Sequence, residues 1–188
     1  ANLSSSYFAS GEVPGRMGNA HLNIVPYHVF RAADEFLIVA VGNDAQFERF
    51  CEIIGAPEWA RDKRFDTNAG RVGQRDLLVG LIAEKMRARP ARAWLAALES
   101  AGVPCGPIND LSQVFSDPQV RHRGLQVKAP HAAAGEVTMV ANPIKFSRTP
   151  VEHDRAPPLL GEHTDEVLRA VLGLDAGAIG ALRRDGVI

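Results

Sequence analysis

Few residues of this 188-residue chain are equipped for chemistry, and arginine leads them. Seventeen of its twenty-one basic residues are Arg, whose planar guanidinium fork suits carboxylates and phosphates. Arg16 stands apart from the rest, in a glycine-bearing stretch beside Met17, Asn19 and His21. Such backbone freedom with several polar heads reads as a ligand-contacting lid, the plain alternative being an exposed loop arginine. Arg71 with Arg75, and Arg87 with Arg89, fall on helical stretches whose other face is apolar, so a solvated face is expected for them. His21 and His28 are separated by Pro26 and have no cysteine nearby, which argues against a metal site. Cys105, between Pro104 and Gly106, has no adjacent Lys or His to lower its pKa and reads as a small filler in a turn. Ser4-Ser5-Ser6 reads as a solvated lead-in. The sequence has no Gly-x-Ser-x-Gly elbow, no phosphate loop ending in Gly-Lys-Ser/Thr, and no Gly-x-Gly-x-x-Gly fingerprint. No nucleophile–base pair stands out.

Composition narrows the class further. A formal net charge of -1 leaves no electrostatic footprint for nucleic acid or an anionic membrane. The longest apolar run, Phe36 to Val41, is far short of the roughly twenty residues a spanning helix needs. Two cysteines make no disulfide framework, and no charged-then-apolar leader is visible, so the expected location is the cytoplasm.

The elements that must position these groups are a mixture of helix and strand. Residues 1–28 read as loop, broken by Gly11, Pro14, Gly15, Gly18 and Pro26. Phe36 to Val41 predicts a buried strand. Asn43 and Gln46 open a helix carrying Phe47, Phe50, Cys51 and Ile54 on one face, ended by Gly55 and Pro57. One long helix is expected over roughly 68–88 with an apolar stripe of Val72, Leu77, Leu78, Leu81, Ile82 and Met86. Pro90 starts another that packs Trp94, Leu95 and Leu98. Gly102 to Pro107, with two prolines and two glycines, reads as an irregular crossover. Two short helices (from Asp110 and Asp117), strands at 124–128 and 137–140, and a final helix pair capped by Thr164 and Asp175 complete the chain.

Several phrases then recur in one order. They are Gly-Asn-Ala-His (18–21), Ile-Val-Pro-Tyr-His-Val-Phe (24–30), Ala-Gly-Val-Pro-Cys-Gly-Pro-Ile (101–108), Asp-Pro-Gln-Val (117–120) and Arg-Gly (123–124). Pro-Ile-Lys-Phe-Ser (143–147), Thr-Pro (149–150), Ala-Pro-Pro-Leu-Leu-Gly-Glu-His-Thr (156–164) and the closing Gly-Val-Ile follow. In this order and spacing the chain resembles the C-terminal half of the class III CoA-transferases, the group of formyl-CoA transferase and carnitine CoA-transferase.

The resemblance implies an α/β enzyme about twice this length, with a Rossmann-like large domain, a small α+β domain, and a C-terminal segment that returns to the large domain. It implies residues 1–22 as active-site loop and linker, 23–108 as the small domain, and 109–188 as the crossover and returning segment. Two subunits interlock as a homodimer. An aspartate attacks an acyl-CoA thioester, and the enzyme-bound CoA then passes to a carboxylic acid acceptor. Coenzyme A is thus a substrate, and no cofactor is bound permanently. That aspartate belongs to the N-terminal half, so no catalytic residue is assigned in this chain, and Asp34, Asp44, Asp62 and Asp66 do not inherit the role. The opening on Ala1 fits a C-terminal fragment that is inactive alone.

The family's mobile loop over the catalytic aspartate is a tetraglycine followed by Asn-Pro-Gly-Gln-Met, and the matching stretch here is Ala9 to Met17. Pro14, Gly15 and Met17 match, while only Gly11 of the four glycines remains. The implied substrate-binding loop is Gly11, Pro14, Gly15, Arg16, Met17, Asn19 and His21. With Glu12 and Arg16 charged, it points to an acceptor other than the family's formyl and oxalyl compounds, a dicarboxylate read by Arg16. An α-methylacyl-CoA racemase is the runner-up, although Ile-Val-Pro-Tyr-His-Val-Phe is closer to the transferases.

Overall fold

A computed structural model describes residues 2–153 and 155–188; Ala1 and Asp154 lie outside the described residues. The chain divides into two compact units, Ala1–Ile108 and Asn109–Ile188.

The first unit is built on a strand that the sequence marks plainly. Strand β2 (Phe36–Ala40) sits between β1 (Tyr27–Arg31) and β3 (Cys105–Pro107) in an antiparallel sheet of order β1-β2-β3. The register pairs Tyr27 with Ala40 and Arg31 with Phe36, then Val39 with Cys105 and Leu37 with Pro107. Because side chains alternate along a strand, Leu37 and Val39 enter the core together while Phe36 stays exposed. Gly102 to Pro107, expected as an irregular crossover, ends instead in β3. Its prolines sit where they cost no ladder bond, at an edge strand's end and just before it.

Helices cover the buried face of this sheet. Asn43 caps α2 (Asp44–Ile53) by accepting from the Gln46 amide at 2.9 Å, and Gln46 Oε1 accepts from Gly42 N. This capping places Phe47, Phe50 and Cys51 inward, each at 1% exposure or less. Helix α5 (Ala91–Ser100) buries Ala91, Trp94 and Leu98, and Trp94 Nε1 donates to Met86 O at 2.8 Å. Each fully buried Phe or Leu contributes about 1.5–3 kcal/mol, so this cluster stabilises the unit far more than its surface ion pairs do.

Two expectations are corrected here. Asn2–Ser10, expected as loop, forms helix α1, because the glycine and proline breakers begin only at Gly11. The single helix over 68–88 is two, α3 (Asn68–Gly73) and α4 (Arg75–Met86), with Gln74 out of helical geometry at φ -114° and ψ 27°. Gly70 and Gly73 weaken the helix before that break. The stripe on α4 is Leu78, Ile82 and Met86, and Leu77 faces solvent.

In the second unit, Asp110 and Gln113 form a capping box at the start of α6 (Leu111–Ser116), and Asp117 caps α7 (Pro118–His122). Strands β4 (Gln126–His131) and β5 (Gly135–Val140) pair as an antiparallel hairpin. Helices α8 (Thr164–Leu172) and α9 (Ala176–Arg184) follow, with an Arg183–Asp165 ion pair bridging them. Helix α8 buries no residue, and Val167, Val171 and Leu172 lie open on it. All strand pairs among the described residues are antiparallel, so the two units are α+β with small sheets.

Candidate functional site

The loop singled out by the sequence joins α1 to β1. Helix α1 ends where the Gly11 amide donates to Tyr7 O at 2.8 Å, with Gly11 at φ +74°. That left-handed geometry favours glycine and turns the chain out of the helix. Gly11, Gly15 and Arg16 are exposed, and Pro14 and Met17 are partly covered. A second turn follows, closed by Ala20 N donating to Met17 O at 3.1 Å, with Gly18 at φ +59° and Asn19 exposed at its tip. The Arg16 guanidinium has no hydrogen-bond or ion-pair partner among the described residues.

His21 is held far more firmly than Arg16. Its backbone amide donates to Tyr27 O at 3.1 Å, and its ring stacks on Tyr27 with centroids 5.4 Å apart and planes 12° from parallel. Asn23 N donates to His21 Nδ1 at 3.1 Å, which makes Nδ1 an acceptor. Nε2 lies 3.3 Å from the Asn2 side-chain amide on α1. Asn23 also reaches Ser6 Oγ at 3.5 Å. The loop is therefore anchored at its C-terminal end by His21, while the segment bearing Arg16 lies open. No hydrogen bond or ion pair joins the Arg16 and His21 side chains.

The solvated-face expectation for Arg71 and Arg75 is overturned, and this is what the sequence reading missed. Arg71 is 0% exposed. Its Nε donates to Val25 O at 2.7 Å, Nη1 to Phe65 O at 2.8 Å and Nη2 to Asp44 at 2.7 Å, and its guanidinium lies over the Phe47 ring. Asn68 Nδ2 donates to Asn23 O at 2.7 Å and Asn68 Oδ1 accepts from Val25 N at 3.2 Å. Arg75 donates to Leu22 O. Asn68, Arg71 and Arg75 recur at three and four residues, an inward stripe written in polar letters. The legible signal was Gly70, where an added Cβ would lie 2.7 Å from Arg64 O, a mark of close backbone approach.

Other candidate groups have structural roles. Burial pushes the Cys51 thiol up to about 12 and also raises Cys105, so neither is an activated nucleophile. His28, on β1 beside the loop's anchor, has its pKa lowered first by burial and then by the Arg75 charge. Its Nδ1 is buried without a hydrogen-bond partner among the described residues. Among the described residues no group of three or more His, Cys, Asp or Glu could hold a metal ion. An apolar groove of about 510 Å³ in the second unit, between α6 and β5, is lined by Leu111, Phe115 and Val140 and holds no acid, base or thiol. No helix among the described residues is long and apolar enough to cross a membrane.

Comparison with known proteins places this loop in context. A family model described as CoA-transferase family III matches residues 1–164. The human succinyl-CoA:glutarate CoA-transferase is 35% identical over 100% of this chain and 43% of its own length. A succinate–glutarate CoA-transferase of Agrobacterium fabrum is 44% identical over 89% of the chain and 42% of its own length. A CAIB/BAIF family protein from Brucella suis, of known structure, superposes with a TM-score of 0.72 at 40% identity, covering 89% of this chain and 43% of that one. The chain thus spans less than half the length of these relatives, and they are named as transferases, which does not favour the racemase. With a family model spanning most of its residues and every ordered phrase but the closing Gly-Val-Ile inside that span, the chain belongs to CoA-transferase family III.

Proposed function

We propose that this chain is the C-terminal part of a CoA-transferase that moves CoA from an acyl-CoA thioester to a carboxylic acid through an aspartyl-enzyme intermediate. A carboxylate supplied by residues preceding this chain attacks the thioester carbonyl and expels CoA as its thiolate. The thiolate then attacks the aspartyl carbonyl of the resulting anhydride and releases the donor acid. The enzyme thioester next passes CoA to the acceptor carboxylate, which restores the aspartate. Covalent catalysis of this kind divides one difficult exchange into easier steps. In this reading residues 1–22 are the active-site loop and linker, 23–108 the small domain, and 109–188 the crossover returning to a Rossmann-like large domain. The open apolar residues of α8 would be covered there. The complete enzyme works as an interlocked homodimer in the cytoplasm, with no permanently bound cofactor and no metal.

The observation that carries the acceptor assignment is Arg16, a guanidinium free of partners among the described residues on a loop whose far end is pinned. A second carboxylate on the acceptor meets that fork bidentately. Relatives acting on succinate and glutarate, both dicarboxylates, support the same choice. Gly11, Pro14, Gly15 and Met17 shape the loop, and Asn19 and His21 border it.

In the complete enzyme, Arg16→Ala should raise KM for a dicarboxylate acceptor by about 10- to 100-fold, the loss of one charged hydrogen-bonded contact. KM for acyl-CoA should stay unchanged. Unaltered acceptor kinetics would remove Arg16 from the acceptor site.

A further inference from the structure

We propose that Asn68 and Arg75, together with the buried Arg71, are positioning residues that set the active-site loop from behind, and through it the acceptor site; this rests on the reading of the loop given above. The clamp acts on the backbone of residues 22–25. These four residues lie between the loop and β1, and none of them is in a helix or strand. Their polar groups need partners, because irregular backbone that is partly buried otherwise leaves carbonyls and amides unsatisfied. Side chains from α3 and from the first residue of α4 supply them. Arg75 takes Leu22 O, Asn68 takes Asn23 O and Val25 N, and Arg71 takes Val25 O.

The clamp has a defined reach into the loop. Asn23, whose carbonyl Asn68 holds, donates its own amide to His21 Nδ1. His21 in turn stacks on Tyr27 and meets Asn2 of α1. The Asn68–Asn23 and Asn23–His21 links are hydrogen bonds, so a shift of residues 22–23 is passed to the His21 ring and to the turn before it, which carries Asn19. The interior end of the clamp is fixed by the dense packing around Arg71, whose guanidinium is also held by Phe65 O and Asp44 and stacks on Phe47. Two of the three clamp residues can be altered without opening that packing, since Arg75 is only partly buried and the Asn68 side chain bonds at the surface.

The test reads amide hydrogen exchange in the 188-residue chain carrying Arg75→Ala, with Arg75→Lys and Asn68→Ala alongside. The expected result for Arg75→Ala is exchange at His21, Asn23 and Val25 faster by about tenfold or more, the scale of one charge-assisted hydrogen bond. Leu37 to Ala40 should keep their protection, and Arg75→Lys, which retains a donor for Leu22 O, should recover much of the loss. Unchanged exchange at residues 21–25, or acceleration no greater than that in β2, would overturn the clamp. In the complete enzyme the same Arg75→Ala should raise the acceptor KM with little change in acyl-CoA KM, and an unmoved acceptor KM beside accelerated exchange would overturn its service to the acceptor site. Failure of the function proposed above would show separately, as an absence of CoA transfer in the unaltered enzyme, on which the exchange experiment does not depend.

Discussion

Arg71 carries a charge with no exposed surface, and four directed contacts offset the cost of burying it. Lysine would not serve there, because a point charge lacks the fork that reaches Val25 O, Phe65 O and Asp44 together. His28 is half-buried with its Nδ1 shut off from solvent, and it answers to pH. Burial and the Arg75 charge hold its pKa below the ordinary 6.5, so the folded form keeps the ring neutral where the unfolded chain takes up a proton. Stability is therefore full above about pH 6.5 and declines as the pH falls through that value. The Tm should drop between about pH 7.5 and 5.5, and His28→Gln should flatten that part of the curve. An identical pH dependence in the variant would show that His28 does not carry it. Arg16, without a hydrogen-bond or ion-pair partner among the described residues, contributes nothing visible to this stability; recognition is the role proposed for it.

At the level of elements, α3 shows how a short helix can be placed by one close approach. Thr67 caps it by accepting from the Gly70 amide at 3.2 Å, and Gly70 sits so near the preceding turn that a Cβ would lie 2.7 Å from Arg64 O. In an open helix Gly→Ala stabilises by about 1 kcal/mol. Here Gly70→Ala should destabilise instead, by about 1–3 kcal/mol as the backbone shifts, read as a lower midpoint in urea unfolding. A higher midpoint would mean that the approach is not tight. The sequence made β2, α2 and α5 legible because their apolar residues follow the period of the element, and α2 also has a conventional Asn43 cap. It hid β1, whose Tyr27, His28 and Val29 are all half-buried and show no alternation. It also hid α1, whose mixed residues have no apolar face, and the break at Gln74, which serves hydrogen bonds to a segment more than forty residues away. The loop residues themselves were legible by type and by family phrase. Their anchorage was not, since long-range side-chain to backbone bonds leave no periodic trace.

Across the whole molecule the two units differ in how they are held. The first has one contiguous apolar core, running from Val25 to Val103, whereas among the described residues the second buries only the apolar side chains of Ala129, Ala141 and Ile179. The Gly11–His21 loop belongs to the well-packed unit, which gives an exposed segment a rigid support. This chain covers less than half of these relatives' length and neither of its cysteines is activated; in the function proposed above it completes an active site whose acyl-transfer group comes from elsewhere in the enzyme. The most direct measurement supplies the complete enzyme with succinyl-CoA and glutarate and follows the acyl-CoA species by mass spectrometry. The prediction is glutaryl-CoA formed in step with loss of succinyl-CoA, and no turnover by the 188-residue chain alone. Absence of CoA exchange in the complete enzyme with these or any other acid pair, or robust turnover by the 188 residues alone, would contradict it.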